Sequence, residues 1–245
     1  MACGCVLLHG GLRLRTRRKQ LTNRLDTTRT FTLLIGLLLA GLVAGCDAAA
    51  HAEPKIPEID AAAALAQLET VPVKGRAPKT GYSREEFGPA WADTDHNGCD
   101  TRNDILARDL EGETFKPGTQ NCVVVTGTLA DRYTGTTITF VRGNTTSSAV
   151  QIDHIIALSD AWQKGAQQLS AAQRKQLAND PLNLMAADGP TNSAKGDKDA
   201  ATWLPPNKTF RCEYVARQTA VKAKYQLWVT QAEHAAIAGI LGTCR

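Results

Sequence analysis

The chain beyond residue 120 alternates short apolar runs rich in β-branched residues with longer amphipathic segments. Apolar runs of about four to eight residues bounded by turn residues are typical of strands. Two such runs flank a turn at Tyr133-Thr134-Gly135. The pattern predicts strands at 122–129, 136–141 and 149–156, and a further short strand at 181–185.

Helices are predicted where apolar spacing follows a capping residue. Ser170 can cap one helix, and Thr230 with Glu233 has the capping-box spacing at the start of the last helix, which ends near Leu241. The other predicted helices cover 101–110, 171–179, 191–202 and, after an Asn207 cap, 208–225. The mixture predicts an α+β fold with a helix-rich second half.

The N-terminus has the pattern of an export signal. An Arg-rich stretch at 13–29 precedes an uncharged apolar segment at 31–45. This segment is shorter than the roughly 20 residues of a membrane-spanning helix, so residues 1–45 are predicted to be a secretory signal. Small residues directly before Cys46 resemble a bacterial lipobox, in which the Cys carries lipid and becomes the mature N-terminus. Ordinary cleavage near Ala50-His51-Ala52 is the alternative.

The mature chain is expected to consist of a tether and one domain. Residues 46–80 are rich in Ala, Pro and Lys, and they predict a tether with one short helix at 60–69. Residues 81–245 are predicted to form a single domain, which is long enough to bury a core.

The charge balance excludes a strongly basic nucleic-acid wrapper. Residues 1–45 carry seven of the 28 basic residues and one of the 24 acidic ones, so 21 basic residues face 23 acidic ones from Cys46 onward. The 43% hydrophobic content also excludes a disordered chain. Any contact with a polyanion must therefore depend on a local patch.

The cysteines support export. Of the seven, two lie in the signal and Cys46 is the proposed lipidation site, which leaves Cys99, Cys122, Cys212 and Cys244. Four cysteines in an exported domain predict two disulfides with three possible connectivities, and pairing of nearest neighbours gives 99–122 and 212–244. A zinc ribbon and a thioredoxin-like redox site are disfavoured because no C-x-x-C pair exists.

Three polar clusters carry candidate chemistry: Asp153-His154 at the end of an apolar strand, Asn183, and Asn192 with Lys195 at a helix start. Carboxylate and amide oxygens are hard ligands that suit Mg²⁺, which often takes only one or two protein ligands. A neutral His beside such an ion can take a proton from water. Neighbouring strand residues point to opposite faces, so Asp153 and His154 can serve one site only where the strand ends or bends.

The order Asp153-His154, Asn183-Leu184 and Asn192-x-x-Lys195 resembles the HNH endonuclease superfamily. The match extends to the segments at 98–106, 151–162, 178–186, 191–206, 211–215 and 221–227. In these the chain resembles a secreted bacterial HNH nuclease family that is similar to the C-terminal domain of GmrSD-type restriction enzymes. The resemblance covers residues 82–244 and implies a ββα-metal core within one helix-rich domain that has a small β-sheet.

The resemblance also implies roles for individual residues. His154 would be the general base, and Asp153 and Asn192 would hold the metal, with Mg²⁺ first and Mn²⁺ second. Asn183 would hold the hairpin loop and orient His154 without touching the metal. Asn192 stands where the family name has a His, which weakens any claim for a softer metal such as Zn²⁺.

Three basic residues are candidates for contact with the phosphate backbone. Lys195 and Lys198 lie near the predicted helix start, and the Arg102 guanidinium suits bidentate phosphate binding. The alternatives are that the two lysines solvate a helix face and that Arg102 pairs with Asp104 or Asp109.

These expectations combine into an exported, monomeric, metal-dependent endonuclease that cleaves DNA, and RNA as a second substrate, with low sequence specificity. The membrane would be contacted only through lipid on Cys46, or the chain would be released as a secreted protein. The alternative is a non-catalytic lipoprotein of the cell surface that binds nucleic acid or metal on an HNH scaffold.

Overall fold

The computed structural model of the protein describes residues 60–244. Over this range seven α-helices and five β-strands form an α+β fold, which confirms the expected class. In chain order they are α1 (Ala61–Leu68), α2 (Thr101–Asp109), β1 (Leu110–Phe115), β2 (Val124–Ala130), β3 (Thr137–Val141), β4 (Val150–His154), α3 (Leu158–Gln163), α4 (Ala171–Asn179), β5 (Leu184–Asp188), α5 (Gly189–Lys195), α6 (Arg211–Lys224) and α7 (Gln231–Leu241). None of these helices has the length and apolar content needed to cross a membrane.

The strands form two antiparallel sheets. β1, β2 and β3 make a three-stranded sheet, and β4 pairs with β5 in a hairpin in which His154 lies opposite Leu184. β1 was not predicted, and the strand expected at 181–185 begins only at Leu184. The delay has a local cause, because Asp180 accepts hydrogen bonds from Leu182 N and Asn183 N and so closes a turn.

The helix starts that the sequence predicted from capping residues are confirmed at α4 and α7. Ser170 and Thr230 both form capping boxes, at the starts of α4 and α7. The helix expected at 191–202 is the shorter α5, because Gly196 takes a left-handed φ of 56° and its N–H closes on Asn192 O. The expected helix at 208–225 divides into a 3₁₀ turn at Lys208–Phe210 and α6.

The segment expected to be a tether belongs to the packed body from α1 onward. The short helix predicted there is present, with Asp60 as its N-cap. Leu68 and Val71 are buried in the cluster that contains α6 and α7 residues. Arg76 pairs with the buried carboxylates of Asp160 and Asp199. The packed body therefore begins about twenty residues before the predicted boundary at 81. The reason is that apolar side chains of this segment are buried against α6 and α7.

The β4–β5 hairpin is buried on both faces. Ile152 and Ala186 pack into a cluster with α2 and the three-stranded sheet. Met185 and Ala187 pack on the other side with residues of α1, α6 and α7. This arrangement follows from the alternation of side chains along a strand, and it makes the hairpin a rigid base for whatever lies at its ends.

The seat of α5 on this hairpin requires a glycine. A Cβ on Gly189 would stand 2.0 Å from Ser148 O, closer than any real contact. Only glycine lets the helix begin this close to the chain that enters β4. The position of Asn192, one turn further along α5, depends on this approach.

Two disulfides have the nearest-neighbour connectivity that was expected. Cys99–Cys122 joins the loop before α2 to the chain that enters β2. Cys212–Cys244 ties the end of the chain to the first turn of α6.

Candidate active site

His154 is held at the end of β4 with one ring nitrogen already used. Its Nε2 lies 2.9 Å from the carbonyl oxygen of Ala178, in α4. A carbonyl oxygen only accepts, so Nε2 carries the hydrogen and Nδ1 is the nitrogen that can take a proton. Burial, above all, lowers the pKa of His154 to about 4. The ring is therefore neutral near neutral pH, as a general base must be.

Asp153 precedes His154 and is held from the opposite face of the strand. Its Oδ2 accepts a hydrogen bond of 2.5 Å from the Tyr133 hydroxyl, and its Oδ1 accepts one of 3.0 Å from Lys195 Nζ. Tyr133 and Lys195 are both fully buried. Each carboxylate oxygen keeps a further lone pair, so Asp153 is fixed in place and still able to bind a ligand.

Asn192 reaches the same region from α5. Its Nδ2 donates to Gln151 Oε1 at 2.9 Å, and no residue in the range 60–244 donates to its Oδ1. Gln151 lies two residues before Asp153 on β4 and therefore shares its face. The glutamine fixes the amide so that its oxygen is the free end.

Asn183 uses its side-chain amide to join two segments beside the site. Its Oδ1 accepts from Ile156 N at 2.8 Å, and its Nδ2 donates to the carbonyl oxygens of Ile156 and Leu177. Leu177 is the neighbour of Ala178, whose carbonyl group holds His154. Asn183 thus ties the chain after β4 to α4, and it is completely buried.

These side chains meet in a cavity of about 400 Å³ at the end of β4, which we call the polar cavity. Asp153 and His154 both line it, although they leave the strand on opposite faces, because β4 ends at His154. Asn192 and Arg102 line it as well. The tertiary structure therefore brings together the predicted base, both predicted metal ligands and one predicted phosphate contact.

The two predicted lysine contacts do not lie in this cavity. Lys195 is fully buried, with Nζ bound to Asp153 Oδ1 and to the His154 carbonyl oxygen at 2.8 Å. It is a positioning residue and has no route to a phosphate. Lys198 is exposed, donates to Ala194 O and is absent from the cavity wall. The predicted phosphate contacts at this cavity are therefore wrong for both lysines. Lys195 is the last residue of α5, and its side chain points back under β4.

Of the three basic candidates, Arg102 is the one that lines the polar cavity. It makes no ion pair within the described range, so the alternative pairing with Asp104 or Asp109 is not formed. One guanidinium nitrogen lies 3.4 Å from Val150 O, which directs the group along β4 toward the polar cavity. Its charge is available to an anion there.

Two residues of the cavity wall were missed by sequence reasoning. Arg84 lies in a 3₁₀ turn at Arg84–Phe87, is exposed and has no carboxylate partner among residues 60–244. Trp91 packs against the cluster around α2, and its ring stacks on that of His154 with centroids 5.9 Å apart. Both precede the recognisable motifs and carried no spacing signal. For Tyr133 and Gln151 the sequence did contain an indication. Tyr133 lies in the predicted turn, and Gln151 lies two residues before Asp153 on the same predicted strand.

The donor set fits a hard divalent ion. Asp153 offers carboxylate oxygens and Asn192 a free amide oxygen, both on the polar cavity. Over the described residues no group of three or more His, Cys, Asp and Glu could hold a metal ion. A metal here would have two protein ligands and complete its shell with water and phosphate oxygens, which Mg²⁺ accepts. The set is a poor one for structural Zn²⁺.

An antiparallel hairpin followed at once by a helix, with Asp-His at its end and Asn on the helix, defines an HNH-type nuclease domain. Residues 100–240 match the family of the C-terminal domain of GmrSD restriction endonucleases, and the chain belongs to that family. It is also similar to a protein of Arthroderma benhamiae described as an uncharacterized secreted protein, with 35% identity over 212 residues. The alignment covers 86% of this chain and 98% of that relative. No solved structure matches the chain.

Proposed function

We propose that the protein is a metal-dependent endonuclease that hydrolyses phosphodiester bonds of DNA, and of RNA as a second substrate, with low sequence specificity. One observation carries the proposal: a neutral His154 with Nδ1 available lines the same cavity as Asp153, Asn192 and Arg102. Membership of a nuclease family supports it. Low specificity is proposed because the body is weakly acidic and has no separate base-reading domain in its described part.

In this mechanism His154 Nδ1 takes a proton from a water molecule as the water oxygen attacks phosphorus. The bond from phosphorus to the leaving oxygen breaks, and that oxygen is protonated from solvent. The hydrogen bond from Nε2–H to Ala178 O stabilises the imidazolium that forms. Arg102 from α2 and Arg84 from the 3₁₀ turn, which also lines the cavity, supply positive charge to the phosphate.

Asp153 and Asn192 are the residues that would hold the divalent ion, with Mg²⁺ as the first choice and Mn²⁺ as the second. When bound, such an ion stabilises negative charge on the phosphate and the leaving oxygen. Tyr133 and Lys195 keep Asp153 in one orientation, and Gln151 does the same for Asn192. The remaining role of the fold is to hold these donors without rearrangement.

The test is cleavage of supercoiled plasmid by the purified protein with Mg²⁺, Mn²⁺, Ca²⁺ or EDTA. Wild-type protein should nick and linearise the plasmid only with a divalent ion, and His154→Ala should lower the rate by at least about 100-fold, which is the lower end for a general base. His234→Gln is the matched control, because His234 lies on α7 away from the cavity, and it should retain wild-type activity.

Full activity in folded His154→Ala would contradict the assignment of the base. If a folded wild-type protein binds nucleic acid but cleaves neither DNA nor RNA with any of the ions, it is instead the non-catalytic binding protein considered above. Circular dichroism of each variant establishes that it is folded.

We further propose that the protein is exported, acts as a monomer and is anchored through lipid on Cys46. The relative is described as secreted, and disulfides persist in oxidising compartments. Residues 1–45 and Cys46 lie outside the described residues, so the signal and the lipid depend on the sequence alone. Mass spectrometry of the mature N-terminal peptide tests both, since a lipidated Cys46 and a free N-terminus near residue 52 differ in mass.

A further inference from the structure

A second cavity of about 460 Å³ opens from the wall of the polar cavity, and we call it the apolar cavity. Arg84, Trp91, His154 and Leu158 line both, so the candidate base stands on their common wall. Its size is within the range of about 300–1,000 Å³ that small-ligand sites occupy. The residues proposed to hydrolyse the phosphodiester bond all line the polar cavity, and of these only His154 and Arg84 also line the apolar cavity.

The chemistry of the apolar cavity differs from that of the polar one. Most of the residues that line it are apolar, among them Phe87, Pro89, Trp91, Leu158 and Ala178. Phosphate and sugar hydroxyl groups would lose their hydration against such a lining, so it favours a flat apolar group. Polar and apolar subsites that meet at His154 match the two halves of a nucleotide.

The backbone of Trp91 is strained. Its φ of 57° is in the left-handed region, which is unusual for an aromatic residue. Thr101 fixes this backbone, with its N–H donating to Trp91 O and its hydroxyl to Ala92 O. A strained residue kept by the surrounding structure at a candidate site points to a functional role.

Besides His154, three polar side chains border the apolar cavity: Arg84, Glu85 and Asn179. Arg84 stands where the two cavities meet and has no ion pair in the described part of the chain, so its charge is free for the phosphate that joins one nucleotide to the next. Asn179, only 2% exposed, also lines the cavity, and its Oδ1 has no hydrogen-bond partner in that same part. Buried amide oxygens without a partner are rare, which marks Asn179 as a side chain that this part of the chain leaves unsatisfied.

We propose that the apolar cavity is a nucleobase subsite in which the base next to the scissile phosphate lies against Trp91. This inference rests on the proposed nuclease function and adds a substrate class to it. A base stacked within a duplex cannot enter such a cavity, so the preferred substrate is single-stranded or locally unpaired nucleic acid. Stacking on an aromatic ring is tolerant of sequence, which agrees with low specificity.

The test is binding of two labelled single strands in EDTA, followed by fluorescence anisotropy. One probe is a short oligothymidylate, and the other is an abasic strand with the same number of phosphates. Trp91→Leu keeps apolar bulk against the core but removes the aromatic face. It should weaken binding of the oligothymidylate by about 10-fold, a typical loss for one stacked base, and leave the Kd of the abasic strand unchanged.

Trp91→Phe retains a ring and should lie between wild type and Trp91→Leu, which keeps the test decisive if the leucine variant is unstable. Equal weakening of both probes by the folded variants, or no weakening of either, would overturn the subsite. So would a higher kcat/KM on duplex than on the same sequence as a single strand.

The two proposals fail in different ways. A protein that binds the base-bearing strand through Trp91 but cleaves nothing keeps the subsite and loses the nuclease. A protein that cleaves nucleic acid while Trp91→Leu leaves both probes unaffected keeps the nuclease and loses the subsite.

Discussion

Lys195 is a fully buried ammonium group with two acceptors, Asp153 Oδ1 and the His154 carbonyl oxygen. A buried charge is tolerated only when it is paired, and removal of one partner leaves the other uncompensated. Its place between the candidate metal ligand and the candidate base makes it a support for the site.

Lys195→Met should lower the free energy of unfolding by about 3–5 kcal/mol, because the buried Asp153 carboxylate loses its counter-charge. Urea unfolding measures the change. Lys198→Met, three residues further along the chain and exposed, is the matched control and should stay within about 0.5 kcal/mol of wild type. A stable Lys195→Met protein that binds nucleic acid less tightly would instead support the original expectation of a phosphate contact.

At the same scale, the residue types of the site were predictable and their orientation was not. Asp153, His154, Asn183 and Asn192 followed from the resemblance of their order to the HNH motif and from ligand chemistry. The role of Lys195 did not, since a lysine near a helix start is usually solvated, and burial is decided by what packs over it.

At the scale of elements, capping explains most of the agreement. Ser170 with Gln173 and Thr230 with Glu233 are local interactions, so α4 and α7 begin where the sequence placed them. The predicted α5 was too long because Asp197 and Asp199, in the segment 197–202, are held by contacts with other parts of the chain. Ser159 and Lys79 contact Asp197, and Asp199 is drawn toward Lys164 and Arg76.

The disulfides allow a prediction at the scale of elements. Cys99–Cys122 closes a loop of 23 residues that includes α2 and β1. Replacing both cysteines with serine should lower the free energy of unfolding by about 3 kcal/mol, because the unfolded chain regains the entropy of that loop. Urea unfolding under oxidising conditions gives the value.

The second disulfide, Cys212–Cys244, provides the control for this experiment. Dithiothreitol should shift the wild-type midpoint by more than it shifts that of the double serine variant, since only Cys212–Cys244 remains to be reduced in the latter. An unchanged midpoint in the variant would show that packing alone holds the loop that carries α2 and Arg102.

At the scale of the whole molecule, a buried ionic cluster joins distant parts of the chain. Lys164 and Lys222 are fully buried, and Asp160, Asp199 and Glu233 surround them, with Arg76 at the edge. These residues come from the segment after α1, from α3 and its end, from the loop after α5, and from α6 and α7. The cluster therefore fixes the frame around the β4–β5 hairpin.

The cluster predicts acid sensitivity. Burial alone would raise the pKa of Asp199, but the hydrogen bond and charge of Lys164 and the charge of Arg76 lower it to about 2. Because the folded pKa is below the unfolded value of about 3.9, the stabilisation is complete above about pH 4 and is lost as the pH falls to about 2. The loss from this group should be about 2 kcal/mol.

Urea unfolding of wild type and Asp199→Asn at several pH values in this window measures the effect. The asparagine variant should be less stable at pH values above the window and should lose less stability within it, since it has no carboxyl group to protonate. Equal slopes for the two proteins would show that Asp199 does not carry the acid sensitivity.

The sequence by itself determined the fold class and the capped helices, because these depend on neighbours along the chain. It indicated the residue types of the site through their resemblance to the HNH motif, and of three possible disulfide connectivities it favoured the one between nearest neighbours. The tertiary structure alone decided that β4 ends where Asp153 and His154 can share a cavity, that Lys195 is buried beneath it, and that Trp91 and Arg84 line it. These features depend on packing between segments far apart in sequence, and no local pattern encodes which side chains such packing brings together.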